Sequence, residues 1–153
     1  MVFLTFPSDQ LLHYDASLES SSSKGEATER TIWYDAYVCY ADSDLDFVRR
    51  LTAHLESPAI GFRLFLRDRD LLGGAWVYET FAQLIESQCR RVIVILSPEF
   101  LLSPDCKFQA QFATGLAIEK RSRVLIPVIY KQCSIPSIIR LLTKIDMTTS
   151  SSS

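Results

Sequence analysis

At 153 residues the chain has room for one ordinary domain and not two. Hydrophobic residues make up 48% of it and charged residues 22%, the balance of a chain that buries a core. A net charge of −2 leaves no basic face of the kind that displaces counterions from nucleic acid, and apolar runs of about half a dozen residues fall far short of the roughly 20 that span a bilayer.

The opening residues, MVFLTFPSDQ, place no basic residue ahead of their apolar ones and carry no long apolar stretch, so no signal peptide is read. The four cysteines, Cys39, Cys89, Cys106 and Cys133, are widely spaced with no C-x-x-C pair, a pattern that fits free thiols in a reducing cytosol better than a zinc site. Cys39 lies in an apolar strand-like run, where buried free thiols are common. His13 and His54 are far apart, and His54 reads as a surface position on a helix. No metal or cofactor is expected, and the compartment is expected to be cytoplasmic.

Residues 1–30, with Ser20 to Ser23 and no sustained periodicity, read as a flexible leader. The fold is expected over 31–149, with a serine tail at 150–153. YDAYVCY, Tyr34 to Tyr40, fits a short strand. Asp42 and Ser43 are candidate N-caps for an amphipathic helix with Leu45, Val48, Leu51 (or Thr52) and Leu55 facing inward. Pro58 and Gly61 end that helix, and Phe62 to Leu66 is the second strand.

Alternating charge follows, Arg67-Asp68-Arg69-Asp70, then Leu71-Leu72 and Gly73-Gly74. This reads as a charged loop with apolar residues near its tip. Either an aspartate caps the loop and a leucine closes the core, or the charges and leucines are held out for a partner, with the leucines as a desolvated centre.

Trp76, Val77, Phe81, Leu84 and Ile85 make the apolar stripe of a second helix ending near Gln88, with Trp76 and Phe81 read as core. RRVIVILS, Arg90 to Ser97, has the unbroken apolar character of a parallel strand covered on both faces. Phe100 to Leu102 is a first helical turn. A helix restarting at Pro104-Asp105 turns Phe108, Phe112 and Leu116 inward, with Ala113 and Ala117 as further candidates. RVLIPVIY, Arg123 to Tyr130, is the fourth strand, in which Pro127 must face an unpaired side or a bulge. A short helical segment begins near Pro136, and Lys144 to Met147 forms a last short strand. The order predicts an α/β fold: a flavodoxin-like, parallel five-stranded sheet with helices on both faces.

Three stretches in this order resemble a known family. YDAYVCYADSD at 34–44, RDRDLLGG at 67–74 and SPEFLLSPDCKFQAQFA at 97–113 are similar to the boxes of the TIR, or Toll/interleukin-1 receptor homology, domain. The resemblance covers about residues 32–149. Within the family it is strongest to adaptors that join a TIR domain to a death domain, carried by DRDLL, LIESQCRRVIVILS, CKFQAQFA and SIIRLLTKIDMT. Two departures stand out. Gly73-Gly74 replaces the usual Pro-Gly, which frees the backbone angle that proline would set and raises the entropy lost on ordering. The third box and last helix of the family are missing, so the chain is expected to be a fragment or short form, or a protein that binds without relaying.

The resemblance implies an innate immune signalling module that binds other TIR domains, those of Toll-like or interleukin-1 receptors and of adaptors, and that self-associates. It implies contact roles for Arg67, Asp68, Arg69, Asp70, Leu71, Leu72, Gly73 and Gly74, and also for Arg90 (or Arg91) and Arg140, although two arginines ahead of a buried strand equally fit a solvated edge. Some TIR domains cleave NAD with a glutamate a few residues into the third long helix, after a Trp or Cys. Here the position three after Cys106 is Gln109, a neutral amide, and the nearest acids are Glu99, Asp105 and Glu119. No catalysis is therefore expected. A phosphoacceptor reading of the fold fails because the third strand ends Leu96-Ser97-Pro98, without an aspartate.

Overall fold

The computed structural model describes residues 33–71, 73, 77–120 and 124–148. The expected leader at 1–30 and the serine tail at 150–153 lie outside the described residues, as does Trp76.

Strand β1 runs Tyr34–Cys39, followed by a single 3-10 turn, Asp42–Asp44, and helix α1, Leu45–Leu55. Strand β2 is Leu64–Leu66, and one helical turn, α2, Arg67–Asp70, follows it directly. Helix α3, Val77–Ser87, leads to β3, Cys89–Leu96. Then come α4, Pro98–Leu102, α5, Pro104–Lys120, β4, Leu125–Ile129, α6, Ser137–Arg140, and β5, Ile145–Asp146. All pairs are parallel and the order is β2-β1-β3-β4-β5. This is the doubly wound layout predicted. The sheet reverses its strand order between β1 and β3, so right-handed crossovers set α1 on one face and α3 and α5 on the other.

Register divides the core by strict alternation. Phe65, Tyr37, Val92 and Leu125 stand in one row across four strands. Tyr37 stacks on Phe65 at 5.4 Å and meets Phe81 of α3 edge-on at 5.1 Å, and Phe81 is 1% exposed. The neighbouring row, Leu66, Val38, Ile93 and Ile126, belongs to the opposite face, the side of α1. Phe47, Val48, Leu51, Thr52 and Leu55 of α1 are buried, and Phe47 stacks on Tyr130 at 3.9 Å.

Several expectations change at this level. Neither Asp42 nor Ser43 caps α1. Asp44 occupies the N-cap without a side-chain bond to the helix, because its carboxylate is turned into the core. In α5 the buried line is Cys106, Gln109, Ala110, Ala113 and Leu116, while Phe108 is exposed. Spacing of four advances about 40° per step around a helix, so a line through 108, 112 and 116 drifts off the face that alternating threes and fours keep inward. Pro127 sits within β4 opposite Val94, as a paired strand residue. Tyr130 N–H donates to Leu96 O in β3 and Met147 N–H to Ile129 O, so even-numbered residues face β3 and odd-numbered ones face β5. The β5 ladder begins only at Val128, so the proline nitrogen faces the unpaired side as expected.

Candidate functional site: a charged turn on the edge strand

The alternating charges do not form an open loop. Arg67–Asp70 close one helical turn, with Leu71 N–H donating to Arg67 O at 3.3 Å. Every one of the four charges is engaged within the chain. Arg67 pairs with Asp42 after β1 and lies over the Tyr40 ring at 5.4 Å. Asp68 accepts from Arg49 of α1 at 3.0 Å, and its N–H donates to Tyr40 Oη at 3.2 Å.

Arg69 is the hub. Its Nη1 and Nη2 donate to Glu56 Oε2 and Oε1 at 2.8 and 3.1 Å, in the bidentate fork that suits guanidinium and carboxylate. Its Nε and Nη2 also reach Asp70 at 2.9 Å, and Nη2 donates to Leu64 O at 2.7 Å. The two carboxylates raise the pKa of Arg69 further above its ordinary range, with the Glu56 bond the larger cause. In return, the hydrogen bond from Arg69 holds Glu56 below the usual carboxylate range. Asp70 Oδ2 accepts from Leu66 N–H at 2.9 Å, which is the capping role of the two alternatives. Leu71 is half-buried and packs on the core cluster, whereas Gly73 is exposed with open space around it. Leu72 and Gly74 lie outside the described residues.

The other predicted contact residues stand apart. Arg90 and Arg91 do not precede the strand but lie inside β3. Arg90 is exposed, while Arg91, paired in register with Ala36, is 8% exposed and has little surface to offer a partner. Arg140 is exposed at the end of α6, where its Nη2 donates to Ile135 O at 3.4 Å and its own carbonyl accepts from Lys144 Nζ at 2.8 Å.

A second polar cluster, buried, lies beyond the carboxyl ends of β1 and β3, where the strand order reverses. The Cys39 thiol donates to Gln109 Oε1 at 3.0 Å, and the Cys106 thiol to Tyr40 O at 3.5 Å. Gln109 is 2% exposed, and its Nε2 finds no acceptor among the described residues. Burial pushes the Cys39 thiol well above its ordinary pKa, with Cys106 adding to the shift. Cys106 is pulled down to about 7 by hydrogen bonding with Cys39 in the first place, then by Ser103 and the charge of Arg67, against burial.

Beside them Asp44 is buried and accepts from Ser97 Oγ, which also caps α4 by accepting from Phe100 N–H at 3.1 Å. Lys131 Nζ stands 3.7 Å from Asp44 and 3.6 Å from Glu99. Sequence reasoning missed Glu56, Arg49 and Asp42 as partners of the charged turn. It also missed the pairing of Asp44 with Ser97. Among the described residues no three His, Cys, Asp or Glu side chains gather as a metal site, and no helix is long and apolar enough to cross a membrane.

Comparison with known proteins agrees with this architecture. The family model described as the TIR domain matches residues 37–153. The TIR domain of the Toll-related receptor TRR-2 from Hydra magnipapillata is 30% identical, with a TM-score of 0.63, covering 74% of this chain and 84% of that one. A TIR-STING receptor from C. gigas, solved with 2',3'-cGAMP, is 25% identical with a TM-score of 0.65, covering 78% of this chain and 37% of that one. The TIR domains of the activated Roq1 resistosome share the fold at 22% identity and a TM-score of 0.54, covering 63% of this chain and 57% of that one. The chain belongs to the TIR domain family.

Proposed function

We propose that this chain is a non-enzymatic TIR module of innate immune signalling, working in the cytoplasm by association with other TIR domains and with further copies of itself. The observation that carries the reading is the placing of its polar groups. Gln109, sealed in the core by Cys39, stands where the family resemblance puts the glutamate of NAD-cleaving members, and a neutral amide supplies no charge to a cationic ribosyl centre. Of the contact residues the resemblance implies, Asp68, Arg69, Gly73, Arg90 and Arg140 are exposed.

The partners are the TIR domains of Toll-like or interleukin-1 receptors and of adaptors. The resemblance of DRDLL and SIIRLLTKIDMT to adaptors that carry a death domain favours an adaptor role over a receptor-type or decoy TIR. A contact between two different faces does not close on itself and propagates as an open assembly. Light scattering against concentration, with and without a receptor or adaptor TIR domain as seed, tests this. The expected result is seed-dependent growth. A strictly monomeric chain that joins no seed sinks the proposal, and nicotinamide release from NAD by the purified chain sinks its non-enzymatic part.

A further inference from the structure

Among the described residues strand β2 is an edge of the sheet and pairs with β1 alone. Its backbone alternates, and the direction is set by Asp35 N–H donating to Arg63 O at 2.7 Å. Arg63 and Phe65 therefore turn their peptide groups toward β1, and Leu64 and Leu66 turn theirs outward. An outward row of this kind is a template for another strand, and natural sheets blunt it.

Here the row is occupied by side chains. Leu64 N–H donates to Glu56 Oε1 at 3.0 Å, Leu64 O accepts from Arg69 Nη2 at 2.7 Å, and Leu66 N–H donates to Asp70 Oδ2 at 2.9 Å. The three side chains are also tied to one another through the bidentate Arg69–Glu56 pair and the Arg69–Asp70 contact. They form one unit, so that drawing Arg69 away removes the acceptor's partner at Leu64 O and loosens both carboxylates together.

We infer that Glu56, Arg69 and Asp70 are a plug over the outer edge of β2, and that the edge they close is a docking surface for an extended strand: the same edge of a second copy of this chain. The geometry is self-complementary. Two such edges related by a two-fold axis run antiparallel, and the donor and acceptor groups of Leu64 and Leu66 on one meet those of Leu66 and Leu64 on the other. Two of the three plug residues, Arg69 and Asp70, belong to the Arg67–Asp70 turn, so whatever repositions that turn withdraws them from Leu64 O and Leu66 N–H. This pairing is separate from the face-to-face association proposed above and does not require it.

Amide hydrogen exchange on the full chain tests the plug, and sedimentation against concentration tests the occupant. In Glu56→Ala the Leu64 amide is expected to exchange about tenfold faster, the change for one lost hydrogen bond, whereas Glu56→Gln keeps the acceptor and restores protection. In Glu56→Ala/Asp70→Ala the chain is expected to dimerise with rising concentration, with the Leu64 and Leu66 amides protected again in the dimer. An unchanged Leu64 amide in Glu56→Ala overturns the plug. A double variant that stays monomeric, or that associates while leaving those two amides unprotected, overturns the second-copy edge as its occupant. Where the double variant does not fold, Glu56→Ala/Arg69→Ala takes its place with the same outcomes.

Discussion

Two polar clusters lie at the carboxyl end of this sheet, and they are built on opposite terms. Beyond β1 and β3, Cys39, Asp44, Ser97 and Gln109 are buried, with Cys39 bonded to Gln109 and Ser97 to Asp44. Beyond β2, Arg67, Asp68, Arg69 and Asp70 are paired with Asp42, Arg49 and Glu56 in reach of water. In open α/β sheets the crevice where strand order reverses is the usual place for a ligand. In this chain buried Cys39, Asp44, Ser97 and Gln109 stand there, and the run of alternating charge lies beyond the edge strand. The difference separates polar groups sealed in the core from polar groups paired in reach of water, and each prediction below tests one side of it.

The largest effect is expected in the core. Ser97→Ala removes the donor to a buried carboxylate and the cap of α4 together. An orphaned buried acceptor and a lost N-cap add to about 3 kcal/mol, read as a fall in denaturant midpoint at unchanged m-value. A loss within about 0.5 kcal/mol would place Asp44 in contact with solvent and break the comparison.

Gln109→Glu comes next. Its carboxyl replaces an amide that receives one thiol donor in the core, at a cost of about 2 kcal/mol. Burial raises the folded-state pKa of that carboxyl above its unfolded value. The variant is therefore closest to the parent in acid, and its loss grows as pH rises above about 4.3. Thermal melts across pH measure this. The variant is also expected to release no nicotinamide from NAD, and release would show that the crevice admits a ligand after all.

How much of this was legible follows the same division. β3 was readable because a strand covered on both faces has to be apolar throughout, as CRRVIVIL nearly is. The parallel, doubly wound layout followed from the β-α alternation and the handedness of its crossovers. The charged turn was visible as a stretch, but its partners were not. Asp42, Arg49 and Glu56 lie 25, 19 and 13 residues from the groups they bind, and only the sheet brings them there. A run of alternating charge has the same appearance whether its partners are in the chain or outside it. Phe108 misled because an aromatic at regular spacing suggests core, while α5 buries the small and polar Ala110, Ala113, Cys106 and Gln109 against the sheet.

A smaller effect, and one set by pH, is expected at the edge strand. Arg69 holds the Glu56 carboxyl below its ordinary value of 4.5. A depressed carboxyl stabilises the fold above its unfolded pKa, and that contribution is lost as pH falls through the folded value. Melting temperature is thus expected to drop below about pH 4.5 more steeply in the parent chain than in Glu56→Gln. Parallel curves for the two would separate Glu56 from the fold.

The smallest stability effect is expected at the outermost pair, and it is the one that speaks most directly to function. Arg49 and Asp68 meet at 3.0 Å with side chains 60% and 45% exposed. A pair this wet is worth within about 0.5 kcal/mol, so Arg49→Ala and Asp68→Ala should melt almost with the parent chain. Asp68 keeps its backbone bond to Tyr40 in either variant, since the N–H and not the carboxylate makes it. A change in seeded assembly by either variant then cannot be charged to a distorted turn. If the turn is a contact surface, Asp68→Ala weakens assembly while Arg49→Ala, which frees the Asp68 carboxylate for an incoming cation, strengthens it or leaves it alone. Equal loss in both would mean that the pair acts as a unit in holding the turn. No change in either would move the contact to Arg140 and α6, away from the edge strand altogether.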